Sequence, residues 1–168
     1  CGDGHNWAVF NGLSITDFTM KFNLTLKNGA IHLNFRLNEG FRYRTWIGTS
    51  DSTARLSKDT PNKAGLVLTS GRARILPDQE YDVRFSAIAG RIQFWINGKR
   101  VYDVTDKAPL GGGLIGFESL DARSVCIDDL AWQQHRRRAN GNGNFLFREA
   151  ATGRNSGERQ LRPQVHPV

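Results

Sequence analysis

The sequence predicts an all-β protein, a two-sheet antiparallel sandwich. Three observations carry this. Apolar and polar residues alternate with period two from Asn6 to Gln133, the pattern of half-buried strands. No window of helical length places apolar residues at i, i+3, i+4 and i+7. Gly-containing turn pairs punctuate the alternating runs, in a chain of 168 residues with 18 Gly and only 5 Pro.

The runs follow one another in order. Residues 7–10 end at Asn11-Gly12. Residues 17–26 and 30–36 are separated by Asn28-Gly29. Residues 41–48 follow Glu39-Gly40, 53–58 come next, and 66–69 end at Ser70-Gly71. Residues 81–87, 91–96 and 100–104 are divided by Ala89-Gly90 and Asn97-Gly98, and 114–119 and 124–133 complete the set. Gly and Asn accept the positive φ that tight hairpin turns demand, so each pair is read as a turn between strands. Pro61 and Pro109 fall between runs, where a missing N–H costs no ladder bond.

Composition supports a packed domain: 39% of residues are hydrophobic and 10% aromatic. No apolar run approaches the roughly 20 residues of a membrane-spanning helix, so no membrane span is expected. The formal charge of +7 is unevenly placed. Residues 1–132 carry 16 Lys and Arg against 14 Asp and Glu, whereas 133–168 carry 7 Arg against 2 Glu. A nucleic-acid domain concentrates its cations on a folded face, so nucleic acid is not an expected partner. The chain divides into a sandwich over 1–133 and a mostly irregular tail or linker, rich in Arg, Asn and Gly, over 134–168. The tail's apolar island, Phe145 to Phe147, either docks on the sandwich or begins a further domain.

The two cysteines, Cys1 and Cys126, have no neighbours with zinc-ligand spacing. An opening Cys in place of Met is expected where an export signal or flanking sequence has been removed. Cys1 is then lipidated, paired with Cys126 in an oxidising compartment, or free; pairing cannot be read from sequence.

Alternation also sorts side chains between the two faces of each strand. Ile31, Leu33 and Phe35 oppose His32, Asn34 and Arg36. Tyr43, Thr45 and Ile47 oppose Arg42, Arg44 and Trp46. Val83 and Phe85 oppose Asp82, Arg84 and Ser86; Ile92, Phe94 and Ile96 oppose Gln93, Trp95 and Asn97; Ile115 and Phe117 oppose Gly116 and Glu118. The first member of each pairing is core. The second members gather His, Asn, Arg, Trp, Gln and Glu on what reads as one sheet face. A bulge would slip any strand's faces by one residue. Aromatic rings stack on the apolar face of a sugar, and planar amide, guanidinium and carboxylate groups bind its hydroxyls. The expected ligand residues are therefore Asn34, Arg36, Arg44, Trp46, Arg84, Gln93, Trp95 and Glu118, with carbohydrate as the partner.

The stretch from Tyr81 to Trp132 carries an ordered set of motifs: an apolar strand, a Gly turn, a strand ending in Asn97-Gly98, V-x-D-x-T-D at 101–106 with Tyr102 and Val104 between, P-L-G-G from Pro109, G-L-I-G-F at 113–117 and I-D-D-L at 127–130. It resembles the C-terminal half of the concanavalin A-like, laminin G-like jelly-roll sandwich, in the branch of 3-keto-disaccharide hydrolase-type domains and levan-binding modules. ITDFTMKFNLTL, LNFR and RYRTWIG resemble the family's first half more loosely, so the likeness spans about residues 7–133. The family hosts lectins, binding modules and enzymes alike. Its glucanases carry Glu-x-Asp-x-x-Glu on one strand; here Glu80 and Asp82 are followed by Phe85, so that chemistry is not expected. The resemblance implies a non-catalytic carbohydrate-binding module, joined to other domains of a larger secreted or surface protein and therefore extracytoplasmic. Two alternatives stay open: a 3-keto-disaccharide-type enzyme, with His32 and Glu118 as acid and base, and a laminin G-like module for proteins or acidic glycans. No cofactor or metal is expected: Asp128 and Asp129 read as a strand-end turn, and the alternative, a structural calcium there with Asp3 or nearby carbonyls, needs about six to eight oxygen ligands that two adjacent Asp do not supply.

Overall fold

A computed structural model describes residues 1–10, 14–139 and 145–148. The described residues contain strands and no helix: β1 (Gly2–Val9), β2 (Phe18–Asn38), β3 (Phe41–Gly48), β4 (Thr53–Thr60), β5 (Lys63–Arg72), β6 (Glu80–Ile88), β7 (Arg91–Ile96), β8 (Lys99–Thr105), β9 (Leu114–Gln134), β10 (Arg136–Ala139) and β11 (Phe145–Arg148). The all-β expectation holds.

Two long strands differ from the sequence reading. Residues 17–26 and 30–36 form one strand, β2, and residues 114–119 and 124–133 form another, β9. The Asn28-Gly29 pair does not reverse the chain. Gly29 takes φ 81°, and the register with β9 shifts between Asn28 and Ala30 while the ladder continues on both sides. A hairpin needs its two arms to pair with each other. Here each arm pairs instead with β9 on one side and with a different strand on the other.

That difference builds the sandwich. The first half of β2 lies between β9 and β6, giving a layer in the order β9-β2-β6-β7-β8. The second half of β2 lies between β9 and β3, giving a layer in the order β1-β9-β2-β3-β4-β5. Both long strands pass from one layer into the other. The sequence-expected core residues meet between the layers. Phe35 and Phe85 have ring centroids 4.8 Å apart, Phe22 and Phe117 5.1 Å apart, and the Thr45 and Tyr102 hydroxyls are 2.8 Å apart. The inward residues of 31–35, 43–47, 83–85, 92–96 and 115–117 are all buried.

Ser70-Gly71, expected as a turn, lies inside β5. The reversal before it uses Pro61 and Asn62 instead. Gly71 is required for contact: a Cβ there would sit 2.0 Å from the Val101 carbonyl oxygen of β8. The glycine lets the edges of the two layers close on each other. The Asn11-Gly12 turn lies outside the described residues. Cys1 and Cys126 are joined by a disulfide, which ties the start of the chain to the middle of β9. Among the described residues β10 and β11 pair only with each other, and the apolar island of residues 145–147 sits in β11.

Candidate functional site

Strand register places the site. On the outer face of the layer containing β1, one cross-strand row runs Trp7 (β1), Glu118 (β9), His32 (β2), Trp46 (β3), Arg55 (β4). The adjacent row runs Gly116, Asn34, Arg44, Ser57, and Arg42 faces Asp59 one step further. Residues directly opposite in antiparallel strands have Cβ atoms about 4.5–5.5 Å apart. Five strands thus deliver one cluster of polar groups flanked by two indoles.

Two carboxylates organise the cluster. Glu118 accepts from His32 Nδ1 at 2.9 Å, His5 Nε2 at 3.1 Å, Asn34 Nδ2 at 3.4 Å and Arg42 at 3.4 Å. Asp59 accepts from Arg42 Nε at 2.8 Å and the Gly65 N–H at 2.6 Å, and Arg44 lies 3.4 Å away. Burial alone would raise the pKa of both acids. For Glu118, hydrogen bonds from His32, His5 and Asn34 and the positive surroundings outweigh burial; for Asp59, Arg42, Gly65 and Arg44 do so. Both are held below the ordinary carboxylate value. Burial lowers the His32 pKa, and the neighbouring Arg44 and Arg42 act the same way, against the pull of Glu118. An ionised carboxylate only accepts, so neutral His32 carries its proton on Nδ1 and leaves Nε2 as an acceptor.

The array is partly sealed. Asn34 is fully buried, spanning Glu118 and Arg42. Trp7 lies under the Arg42 guanidinium and Trp46 under that of Arg55, at 5.6 and 5.8 Å from the ring centroids. Beside Trp46 a recess of about 220 Å³ is lined by His32, Arg44, Trp46, Arg55 and Ser57. That is below the roughly 300–1,000 Å³ of drug-sized ligand pockets, and suits one ring better than a chain.

The structure divides the eight residues expected on one face. Asn34, Arg44, Trp46 and Glu118 come together with His32. Arg84, Gln93 and Trp95 lie on β6 and β7, in the other layer, and face outward on the opposite side of the sandwich. Gln93 there donates to Asp103 at 2.8 Å. Arg36 points into the protein. A bulge interrupts β2 between Phe35 and Asn38, Arg36 takes φ 48°, and its buried guanidinium donates to the carbonyls of Thr16, Leu110 and Ala89 at 2.9, 3.2 and 2.6 Å and reaches Asp17 at 3.5 Å. It fastens loops together and cannot reach a ligand. Among the described residues no three His, Cys, Asp or Glu side chains gather as a metal site. Asp129 accepts from Asn23, and Asp3 accepts from the Ser124 N–H.

The site residues not singled out by sequence are Trp7, His5, Arg42, Arg55, Ser57 and Asp59. Arg42 was visible as the first outward residue of the 42–44–46 alternation. Trp7 and Asp59 gave no local signal, because only the pairing of β1 with β9 and of β3 with β4 places them here.

Comparisons bear on the fold. No family model and no curated protein sequence matches the chain. Among solved structures, the chain is similar to the carbohydrate-binding module CBM66 from Bacillus subtilis, at 20% identity and TM-score 0.66, over 79% of this chain and 83% of that one. It is similar to sheep galectin-11, solved with glycerol, at 13% identity and TM-score 0.58, over 79% and 99% of the two chains. It also resembles part of a fructosyltransferase from A. japonicus, at 11% identity and TM-score 0.63, over 79% of this chain and 25% of that one. At these identities the likeness establishes a lectin-like jelly-roll sandwich.

Proposed function

We propose that the protein is a non-catalytic carbohydrate-binding module that takes a sugar ring at the Trp46 recess. The observation that carries this is the row Trp7, Glu118, His32, Trp46, Arg55. The two ionised carboxylates fix His32, His5, Asn34, Arg42 and Arg44, and the two indoles lie against Arg42 and Arg55, before any ligand arrives. Such fixing lowers the ordering cost of binding. A sugar ring would stack on Trp46 by displacing Arg55, while Arg44, Ser57 and His32 Nε2 meet its hydroxyls. The solved neighbours include a carbohydrate-binding module and a galectin, which supports the same reading. The Cys1–Cys126 disulfide supports an extracytoplasmic setting, since such bonds persist in oxidising compartments. We place the chain in a larger secreted or surface protein, in the branch of levan-binding modules.

The test is a glycan array at low and high salt with the wild type, Trp46→Ala and Trp7→Ala, each checked for folding. One defined neutral glycan, bound at both salt levels and lost in Trp46→Ala, is the expected result. Binding unchanged in Trp46→Ala refutes the assignment. A second reading, an enzyme of the 3-keto-disaccharide type, draws on the Glu118–His32 pair, which leaves Nε2 as a base at the recess. Turnover of a 3-keto-glycoside that is lost in His32→Gln with binding retained would replace the first reading.

A further inference from the structure

The opposite side of the sandwich carries a larger groove, of about 460 Å³, whose lining includes Lys21, Arg84, Trp95, Trp132, Thr19 and Gln133. Register orders it. One row crosses the layer as Ala131 (β9), Lys21 (β2), Arg84 (β6) and Trp95 (β7), with Trp132 beside Ala131. The order across the strands is alanine, cation, cation, aromatic; Trp132, the register partner of Met20 rather than of Lys21, lines the groove at its β9 end. We propose that this groove is a second carbohydrate site, one that takes a uronic-acid oligosaccharide lying across the strands. The inference is independent of the site on the other face.

The two central cations carry it. Lys21 and Arg84 are direct cross-strand partners, an arrangement that is unfavourable for like charges. Both are exposed, and among the described residues neither has a carboxylate within ion-pair distance. The nearest acids along the face sit one row away: Asp82 and Asp128 opposite Asn23, Asp129 hydrogen-bonded to Asn23, and Asp103 opposite Gln93, where Arg91 and Arg100 already hold it. Among the described residues none that lines the groove is an acid. The guanidinium of Arg84 is steadied by the Trp95 ring, 5.8 Å from its centroid, and its planar fork matches a carboxylate. Neighbouring strands lie about 4.8 Å apart, about the length of a sugar ring, so successive carboxylates of a uronate chain meet Lys21 and Arg84 in turn. A flanking ring then stacks on Trp95, and Trp132, 40% exposed, borders the other end of the groove.

The chain's own basic tail is not a suitable occupant. β9 leaves the groove at Gln133 and Gln134, and the sequence continues into Arg136-Arg137-Arg138, which adds positive charge at that end.

The four Trp of the chain report the two faces separately. The 168-residue chain is labelled with ¹⁵N and its indole N–H signals are followed during titration with hexagalacturonate. The expected result is movement of Trp95 and Trp132 with Trp7 and Trp46 unmoved. The fully methyl-esterified hexamer, with the same rings and no charge, should bind at least about tenfold more weakly. The double variant Lys21→Gln, Arg84→Gln should lose a similar factor, equivalent to about 1.4 kcal/mol, with unchanged neutral-glycan signals at Trp46. Equal binding of the methyl ester, movement of Trp7 and Trp46 instead, or no binding at millimolar ligand overturns the proposal. Equal affinity for dextran sulfate or a single-stranded oligonucleotide also overturns it, by making the groove a general polyanion surface.

Discussion

Replacing Glu118 by Gln removes the charge on which His32, His5, Asn34 and Arg42 converge. Of these contacts the His32 hydrogen bond is short and buried, and hydrogen bonds to charged groups contribute about 1.5–3 kcal/mol each. The His5 and Arg42 contacts are partly exposed and add at most about 1 kcal/mol together. The substitution is therefore expected to cost about 2–4 kcal/mol at pH 7.5. The pH dependence gives a sharper check. The folded pKa of Glu118 lies below its ordinary 4.5, so its contribution is complete above that value and is lost as pH falls through the folded pKa. His32 is also lowered, from 6.5, so both proteins lose stability below about pH 6.5 as the unfolded chain takes up a proton that the folded one resists. Glu118 eases protonation of His32, so removing it steepens that loss. The gap between wild type and variant should persist or widen from pH 7.5 to 5 and close below about 4.5. Urea denaturation across this range measures it. No gap at pH 7.5, or a constant gap down to pH 3, would refute the assignment of Glu118 as the ionised hub.

Reduction of Cys1–Cys126, or Cys1→Ser, opens a loop spanning 125 residues, for which chain entropy gives about 5 kcal/mol as the upper end of the usual 2–5. Denaturant midpoints with and without reductant report this, and neutral-glycan binding should fall too, because β1 carries His5, which holds Glu118, and Trp7, which packs on Arg42. Arg36→Lys should destabilise by about 3 kcal/mol or more, since one ammonium cannot reach the carbonyls of Thr16, Leu110 and Ala89 together with Asp17. Thermal melts check it, and a near-wild-type melt would show the loops hold without the fork. Gly71→Ala drives a methyl into the Val101 carbonyl and should cost about 1–3 kcal/mol, read by the same melts.

Much of the fold was legible because alternation is local. The inward residues of β3, β6 and β7 and the turns at Ala89-Gly90 and Asn97-Gly98 need only neighbours in sequence, and each appears where period two puts it. The candidate site was half legible for the same reason: His32, Asn34, Arg44, Trp46 and Glu118 are outward positions of three alternating runs. Asn28-Gly29 misled, since the same dipeptide chemistry serves a hairpin turn or a bulge, and the choice falls to the strands alongside.

The sequence by itself determined which side chains of each strand are inward and which outward, and with them the all-β class and the sugar-compatible chemistry of the outward set. Tertiary structure alone decided which outward residues share a face. Arg84 and Trp95 alternate as faithfully as Arg44 and Trp46, yet stand on the far side of the sandwich, and Trp7 and Asp59 join the cluster through pairings distant in sequence. Arg36 follows the alternation and is turned inward by one bulge. The physical reason is that side-chain direction follows from backbone geometry over two residues, whereas the composition of a face follows from hydrogen-bond register between strands as much as a hundred residues apart.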